Sequence, residues 1–295
     1  MELRHIRYFL AVVDTGSTVR AAQQVHVAQP SLSRQLRALE ASLRVSLFER
    51  GGSRLSLSAA GHRFLPVARD LVARADSAAS LVRSLADGVP PRLTIAAPSA
   101  TVADVIAPYV VSTGRSGPLV DVVEARGEGP YAALADGVDL AVSASPPPAG
   151  TDTLTVGHPP LWVYAPPGHP WHTRRERYVD LAELVAEPLL LPTVDHDTRN
   201  ILDRAIAAAG CRNPTMLSQS SSPLLAQALG VAGHGVAVVS EDPRYGVEPL
   251  LIRGPDGEPL TMTLTAAWKP SHYTADLLAS FAKGLATYCA NAYPF

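Results

Sequence analysis

Apolar positions in the first 45 residues recur every three or four places. Leu3, Ile6, Leu10 and Val13 mark a helix over residues 3–14. Asp14-Thr-Gly-Ser17 reads as a turn, with Ser17 placed to cap a second short helix, Thr18 to Val25. His26-Val27-Ala28 leaves a tight connection, and Pro30 suits the first turn of a third helix. On that helix Leu32, Leu36, Leu39 and Leu43 form one narrow stripe. Pro30, Arg34, Arg37 and Ala41 look the other way, flanked by Ser31 and Ser33. Three helices with two short connections in about forty residues predict a helix-turn-helix unit. A solvated helix face ordinarily mixes Glu and Lys. This face has no acid before Glu40 and offers small donors at its N-terminal end. A recognition helix meets base edges and phosphates with that end.

The next stretch, Leu47 to Gly61, places Arg50 and Arg54 around Gly51-Gly52-Ser53, then alternates at Leu55-Ser-Leu57. It reads as a small β-hairpin, a wing, whose arginines reach backbone or minor groove. Ser58 can cap a long helix running to about Asp87. Phe64, Val67, Leu71, Ala75, Ala78, Val82 and Leu85 form its apolar seam, suited to a second copy of the chain or to a neighbouring part of its own domain. Pro66 lies inside the helix and predicts a kink near residues 62–66.

Gly88-Val-Pro90-Pro91 ends the helix, and strands then alternate with helices. Strands are expected at 93–97, 120–125, 139–143, 161–165, 189–191, 236–239 and 260–268. Helices are expected at 101–111, 131–136, 199–209, 223–232 and 274–288. These elements predict a mostly parallel α/β body.

Charge sharpens the division. Residues 1–90 carry 12 Arg, no Lys and 7 acids, net +5, while residues 91–295 carry 13 Lys/Arg and 20 acids, net −7. A basic head on an acidic body points to an anionic partner for the head alone. Arg is the side chain best shaped for phosphate and guanine. The N-terminus, MELRHIRYFLAVVD, is interrupted by Arg4, Arg7 and Asp14 and does not read as a signal peptide. With no run long enough for a membrane span, a cytoplasmic location is expected. Cys211 and Cys289 lie far apart and outside any CxxC, so neither a disulfide framework nor a zinc site is expected.

The stretches LRHIRYFLAVVDTGS, VRAAQQVHVAQPSLSRQLRALE and LFERGGSRLSLSAAG resemble, in order and spacing, the DNA-binding domain of the LysR-type transcriptional regulators. IAAPSA, GVDLAVSAS, PPGHPW, EPLLLP and GHGVAVV continue the likeness through the body. Thr18 departs from a position usually aromatic, Arg44 from one usually Gly, and Ser58 from one usually Thr. The resemblance implies an N-terminal winged helix-turn-helix over 1–58, a dimerising linker helix over 59–89, and an effector-binding domain over 90–295. That last domain would resemble periplasmic binding proteins. Its subdomain I would span about 92–161 plus 269–295, and subdomain II about 162–268. It further implies a homodimer or homotetramer on a double-stranded DNA operator, a small-molecule effector, and RNA polymerase as a further partner.

Carried over by position, Gln29, Pro30, Ser31, Ser33 and Arg34 match the family's recognition-helix contacts, and Arg50 and Arg54 match the wing. Arg37 is added from the helical wheel alone, as a phosphate contact. For the effector, Pro98-Ser99-Ala100-Thr101 follows the first strand and opens a helix, whose N-terminus attracts anions. Ser99 can serve there as ligand or only as cap. In the family this loop lines the cleft between subdomains. Facing it would stand Thr193 and His196, with Gln219 and Ser220 on the same side and Ser145 after the third strand. Some aromatic-acid-responsive relatives place an Arg after that strand. Here Ser145-Pro146-Pro147-Pro148 lacks it, and Arg126, His196 or Arg199 would substitute. The expected effector is a small anionic or polar metabolite.

No enzymatic chemistry is expected. Asp195-His196-Asp197 are adjacent loop residues with no second His at i+4, and His169-Pro-Trp-His172 lacks further ligands at zinc spacing. Gly230-Val-Ala-Gly233-His-Gly235 follows a helix and precedes a strand, the reverse of a dinucleotide fingerprint. GxSxG, HExxH and Walker motifs do not occur. No cofactor or metal is called for.

Overall fold

The computed structural model describes residues 1–49, 56–87, 91–124, 129–174 and 177–294. The chain divides into two compact units. One holds Met1–Ala96, Arg115–Leu140 and Ser271–Tyr273, and the other Ala97–Gly114, Ala141–Pro270 and Thr274–Phe295.

The first unit begins with α1 (Leu3–Thr15), α2 (Thr18–Gln24) and α3 (Gln29–Leu43). Gly16 closes α1 in the left-handed region at φ 63°, and the Ser17 hydroxyl accepts from the Arg20 N–H to cap α2. Ala21 and Ala22 are the buried residues of α2, small enough for α1 and α3 to approach. Leu32, Leu36 and Leu39 sink from α3 into a core with Ile6, Phe9 and Val12. Arg44 ends α3 at φ 56°, a left-handed cap that Gly takes more cheaply. The Glu40 carboxylate then accepts from the Leu47 N–H at 2.7 Å, pinning the chain as it enters the wing.

The wing's base pairs Phe48 with Leu57, and the Glu49 N–H donates to the Ser56 carbonyl at 2.9 Å. Its tip lies outside the described residues. Ser58 caps α4 (Ala59–Asp87) by accepting from the Gly61 N–H at 3.0 Å. A Cβ on Gly61 would strike the Leu47 carbonyl, so wing and helix meet where only Gly fits. Phe9 packs on Phe48 and Phe64 at centroid distances of 5.5 and 5.3 Å. Further along α4, Arg69 pairs with Asp136 at 2.9 Å and with Asp14 at 3.5 Å. β1 (Arg92–Ala97) and β2 (Leu119–Glu124) lie side by side. Asp139 accepts from the Thr94 N–H at 2.7 Å and meets His272 at 3.1 Å.

The second unit opens with one helical run, α5 (Ser99–Thr101), a π-helical segment (Val102–Ile106) and α6 (Ala107–Thr113). β3 (Leu140–Ser143) and β4 (Asp152–Gly157) flank a strand from far down the chain, β11 (Leu264–Trp268), antiparallel to both. The remaining strands are β5 (Trp162–Tyr164), β6 (Tyr178–Asp180), β7 (Leu189–Pro192), β8 (Met216–Ser220), β9 (Val236–Val239) and β10 (Leu250–Arg253). They form a six-stranded sheet in the order β6-β10-β5-β9-β7-β8. β7 runs parallel to β8 and β9, and β10 parallel to β6, but β5 is antiparallel to both its neighbours. The sheets are therefore mixed, which corrects the mostly parallel reading.

Four helices complete this unit: α7 (Leu181–Leu184), α8 (Asp197–Ala208), α9 (Pro223–Val231) and α10 (Ala275–Ala292). The expected helix at 131–136, in the first unit, is instead a 3-10 turn, Pro130–Leu134. The last strand starts four residues later than expected, at Leu264.

Candidate functional site

Two sites emerge, one in each unit. The first is the outer face of α3. Gln29, Pro30, Ser31, Arg34 and Arg37 are exposed, and Ser33 is half-buried. The buried leucines on the opposite side fix which way this face points. Gln29 Nε2 donates to Ser33 Oγ at 3.0 Å, and Arg37 Nε to the Ser33 carbonyl at 3.3 Å, so both side chains lie along the helix. Among the described residues Arg34 has no protein partner. Arg50 and Arg54 lie outside the described residues.

The second site is a cavity of about 410 Å³ in the second unit, within the size range of small-molecule pockets. Stretches far apart in the chain wall it. They include Ser99 to Thr101 at the head of the helical run, His196 to Thr198 at the start of α8, Ser221 to Leu224 at the start of α9, Ser240, Glu241 and Arg244 after β9, and Met262 with Leu264 before and in β11. Serine and threonine hydroxyls and the acids Asp197 and Glu241 thus mix with apolar walls.

The turn after β9 is held from below. Gln227, fully buried on α9, donates to the carbonyls of Glu241 and Asp242 at 3.3 and 3.2 Å, and accepts from the Arg244 N–H at 3.0 Å. Tyr164 donates its hydroxyl to the Glu241 carbonyl at 2.9 Å. The Asp242 carboxylate accepts from Trp162 Nε1 at 3.0 Å and from the Tyr293 hydroxyl at 2.9 Å. Asp104, in the π segment, accepts from the Asp242 N–H at 3.1 Å and pairs with the Arg244 guanidinium. Burial pushes the Asp104, Glu241 and Asp197 carboxyls above the ordinary carboxylate range. It raises the Tyr164 and Tyr293 phenols too, with Asp242 nearby adding to the effect.

Four of the nine expected effector residues, Ser99, Ala100, Thr101 and His196, stand on this wall. The other described ones do not. Thr193 gives its N–H to the Ser220 carbonyl at 3.1 Å, and Ser220 Oγ accepts from the Ser222 N–H at 3.0 Å. Gln219 turns its amide to Met216 Sδ. Ser145 hydrogen-bonds Asp197, one step behind the wall. Arg126 lies outside the described residues. Glu241 and Arg244 were missed; the available signal was their place just past the carboxyl end of a buried strand, where α/β folds gather ligand groups.

Comparison with known proteins assigns the family. Residues 3–62 match the bacterial regulatory helix-turn-helix protein, lysR family, and residues 86–290 match the LysR substrate binding domain. The chain belongs to the LysR family. It is a LysR-type DNA-binding transcriptional regulator with an effector-binding domain, and not an enzyme. Among LysR relatives, the transcriptional regulator CbbR of Xanthobacter flavus is 30% identical over 81% of this chain and 72% of its own length. The regulator BenM of Acinetobacter baylyi is 28% identical over 81% and 80%. The fold is that of a full-length OxyR variant from Pseudomonas aeruginosa (TM-score 0.69, 24% identity, covering 97% and 94%) and of full-length CbnR complexed with its target DNA (TM-score 0.68, 23% identity, covering 98% and 100%). Among the described residues of this LysR regulator, no helix is long and apolar enough to cross a membrane, and no group of three or more His, Cys, Asp or Glu is arranged to hold a metal ion.

Proposed function

We propose that this LysR regulator reads its operator with the exposed face of α3 and changes its DNA binding or promoter activation when a small polar metabolite fills the cavity near Ser99, His196 and Glu241. The observation that carries the reading is the two-sided character of α3. A leucine stripe is buried while Gln29, Ser31, Arg34 and Arg37 stand exposed at its N-terminal half. Arg34 suits a base edge or phosphate, Ser31 and Ser33 phosphate or base, and Arg37 a phosphate. Arg50 and Arg54 of the wing take the backbone or minor groove beside it.

The division into 1–58, 59–89 and 90–295 goes with this reading, with α4 as the dimerising element of a homodimer or homotetramer. Its exposed Val67 and Val82 suit that role. The protein acts in the cytoplasm, where RNA polymerase is its further partner. In the cavity, Ser99, Ala100, Thr101 and His196 contact the metabolite directly, and Ser145 supports Asp197. The test is fluorescence anisotropy with the intergenic duplex beside the gene, against a scrambled duplex at the same near-physiological salt. Preference for the native duplex is expected. Equal affinity for both, and for genomic fragments, would remove the operator-reading function.

A further inference from the structure

We propose that the cavity takes a small organic cation, a primary amine or an amidine, rather than the anionic effector first expected. The inference rests on reading this cavity as the effector site. Asp197 and Glu241 stand on its wall, with Asp104 and Asp242 behind. The basic side chains present are His196 and Arg244 on the wall and Arg204 further along α8. Arg244 is committed, because its guanidinium pairs with Asp104. Arg204 turns its Nε to the Asn200 carbonyl at 3.2 Å. Asp242 is held by the neutral donors of Trp162 and Tyr293.

An anion entering here would face Asp197 and Glu241 on the wall and Asp242 behind them, while Arg244 and Asp104 offset each other. A cation would find two carboxylates at the wall. Burial outweighs the hydrogen bonds and basic side chains around both, holding Asp197 and Glu241 above their ordinary range. A bound ammonium or amidinium would reverse that balance. The apolar part of the wall suits the carbon frame of an organic cation. Leu224, Met262 and Leu264 offer it an apolar surface.

Benzamidine, benzamide and benzoate share one shape and differ in charge. Titration calorimetry on the full chain near neutral pH should give benzamidine about tenfold tighter binding than benzamide, with benzoate weakest. Glu241→Gln and Asp197→Asn, each checked for native melting, should each reduce that preference severalfold. The cation assignment is overturned if benzoate binds as tightly as benzamidine, if none of the three binds, or if both variants keep the full preference. Operator selection is measured on the same sample. Benzamidine preference without operator selection supports the ligand class and counts against the regulator reading; operator selection without the preference does the reverse.

Discussion

Replacing Arg34 with alanine separates reading the bases from holding the backbone. Arg34 is exposed on α3 and has no protein partner among the described residues, unlike Arg37, which is tethered to the Ser33 carbonyl. Its removal therefore costs the fold less than about 0.5 kcal/mol. The loss falls on DNA. If the guanidinium forks onto a base edge, about 1–3 kcal/mol of discrimination disappears, roughly 5- to 150-fold per half-site. If it holds a phosphate, operator and scrambled duplex weaken alike, and the slope of log affinity against log salt flattens by about 0.9. In a dimer the free-energy and slope changes double, and the fold-change is squared. Anisotropy titrations of both duplexes across a salt series, with thermal melting as the folding control, read all three quantities. An unchanged operator preference together with an unchanged slope, in a normally melting variant, would take Arg34 out of the interface.

Further outcomes follow from burial and charge. Leu32, fully buried, should cost about 2–5 kcal/mol of stability when cut to alanine, visible by denaturant unfolding; a loss under about 1 kcal/mol would contradict its core position. Glu241 has a carboxyl raised by burial, so the folded state binds its proton more tightly than the unfolded one, and stability is lost as pH rises from the ordinary carboxylate range through the raised value. Glu241→Gln should therefore raise the melting temperature at neutral pH and leave it nearly unchanged in acid; equal shifts at both would refute this. Cys289 is 1% exposed and its thiol is pushed up to about 11, so in Cys211→Ser a thiol reagent should label it only after unfolding. Rapid labelling of that folded variant would contradict the packing of α10 on Gly157.

The DNA-reading head was legible because its signals are local. The leucine stripe of α3, the Ser17 and Ser58 caps and the Gly16 turn each act within a few residues. The body was less so. β4, β6, β8 and β10 went unread, being strands whose identity comes from the neighbours they pair with rather than from a local apolar run. Strand direction was misjudged for the same reason: β11 enters between β3 and β4 from more than a hundred residues away. In the cavity, Ser99 to Thr101 were readable as a strand-to-helix loop. His196 was expected at the cleft and stands on the wall; Asp197 beside it was not named for the effector, yet it stands there too. Glu241 and Arg244 carry no motif. They become a site only when Gln227, Tyr164 and Asp104 fix the turn they sit on.

The π segment, Val102–Ile106, holds one residue more than an α-helix would in the same span, and the Ala107 N–H reaches back five residues to the Val102 carbonyl. One residue of helix is worth about 100° of rotation. A regulator one residue shorter here would keep the helix and lose the phase: Asp104 would swing away from Arg244 and leave that guanidinium facing the cavity. A single-codon deletion would thus set one unpaired cation beside Asp197 and Glu241 and change the charge that an inducer meets, so the ligand class of this pocket hangs on a helix irregularity.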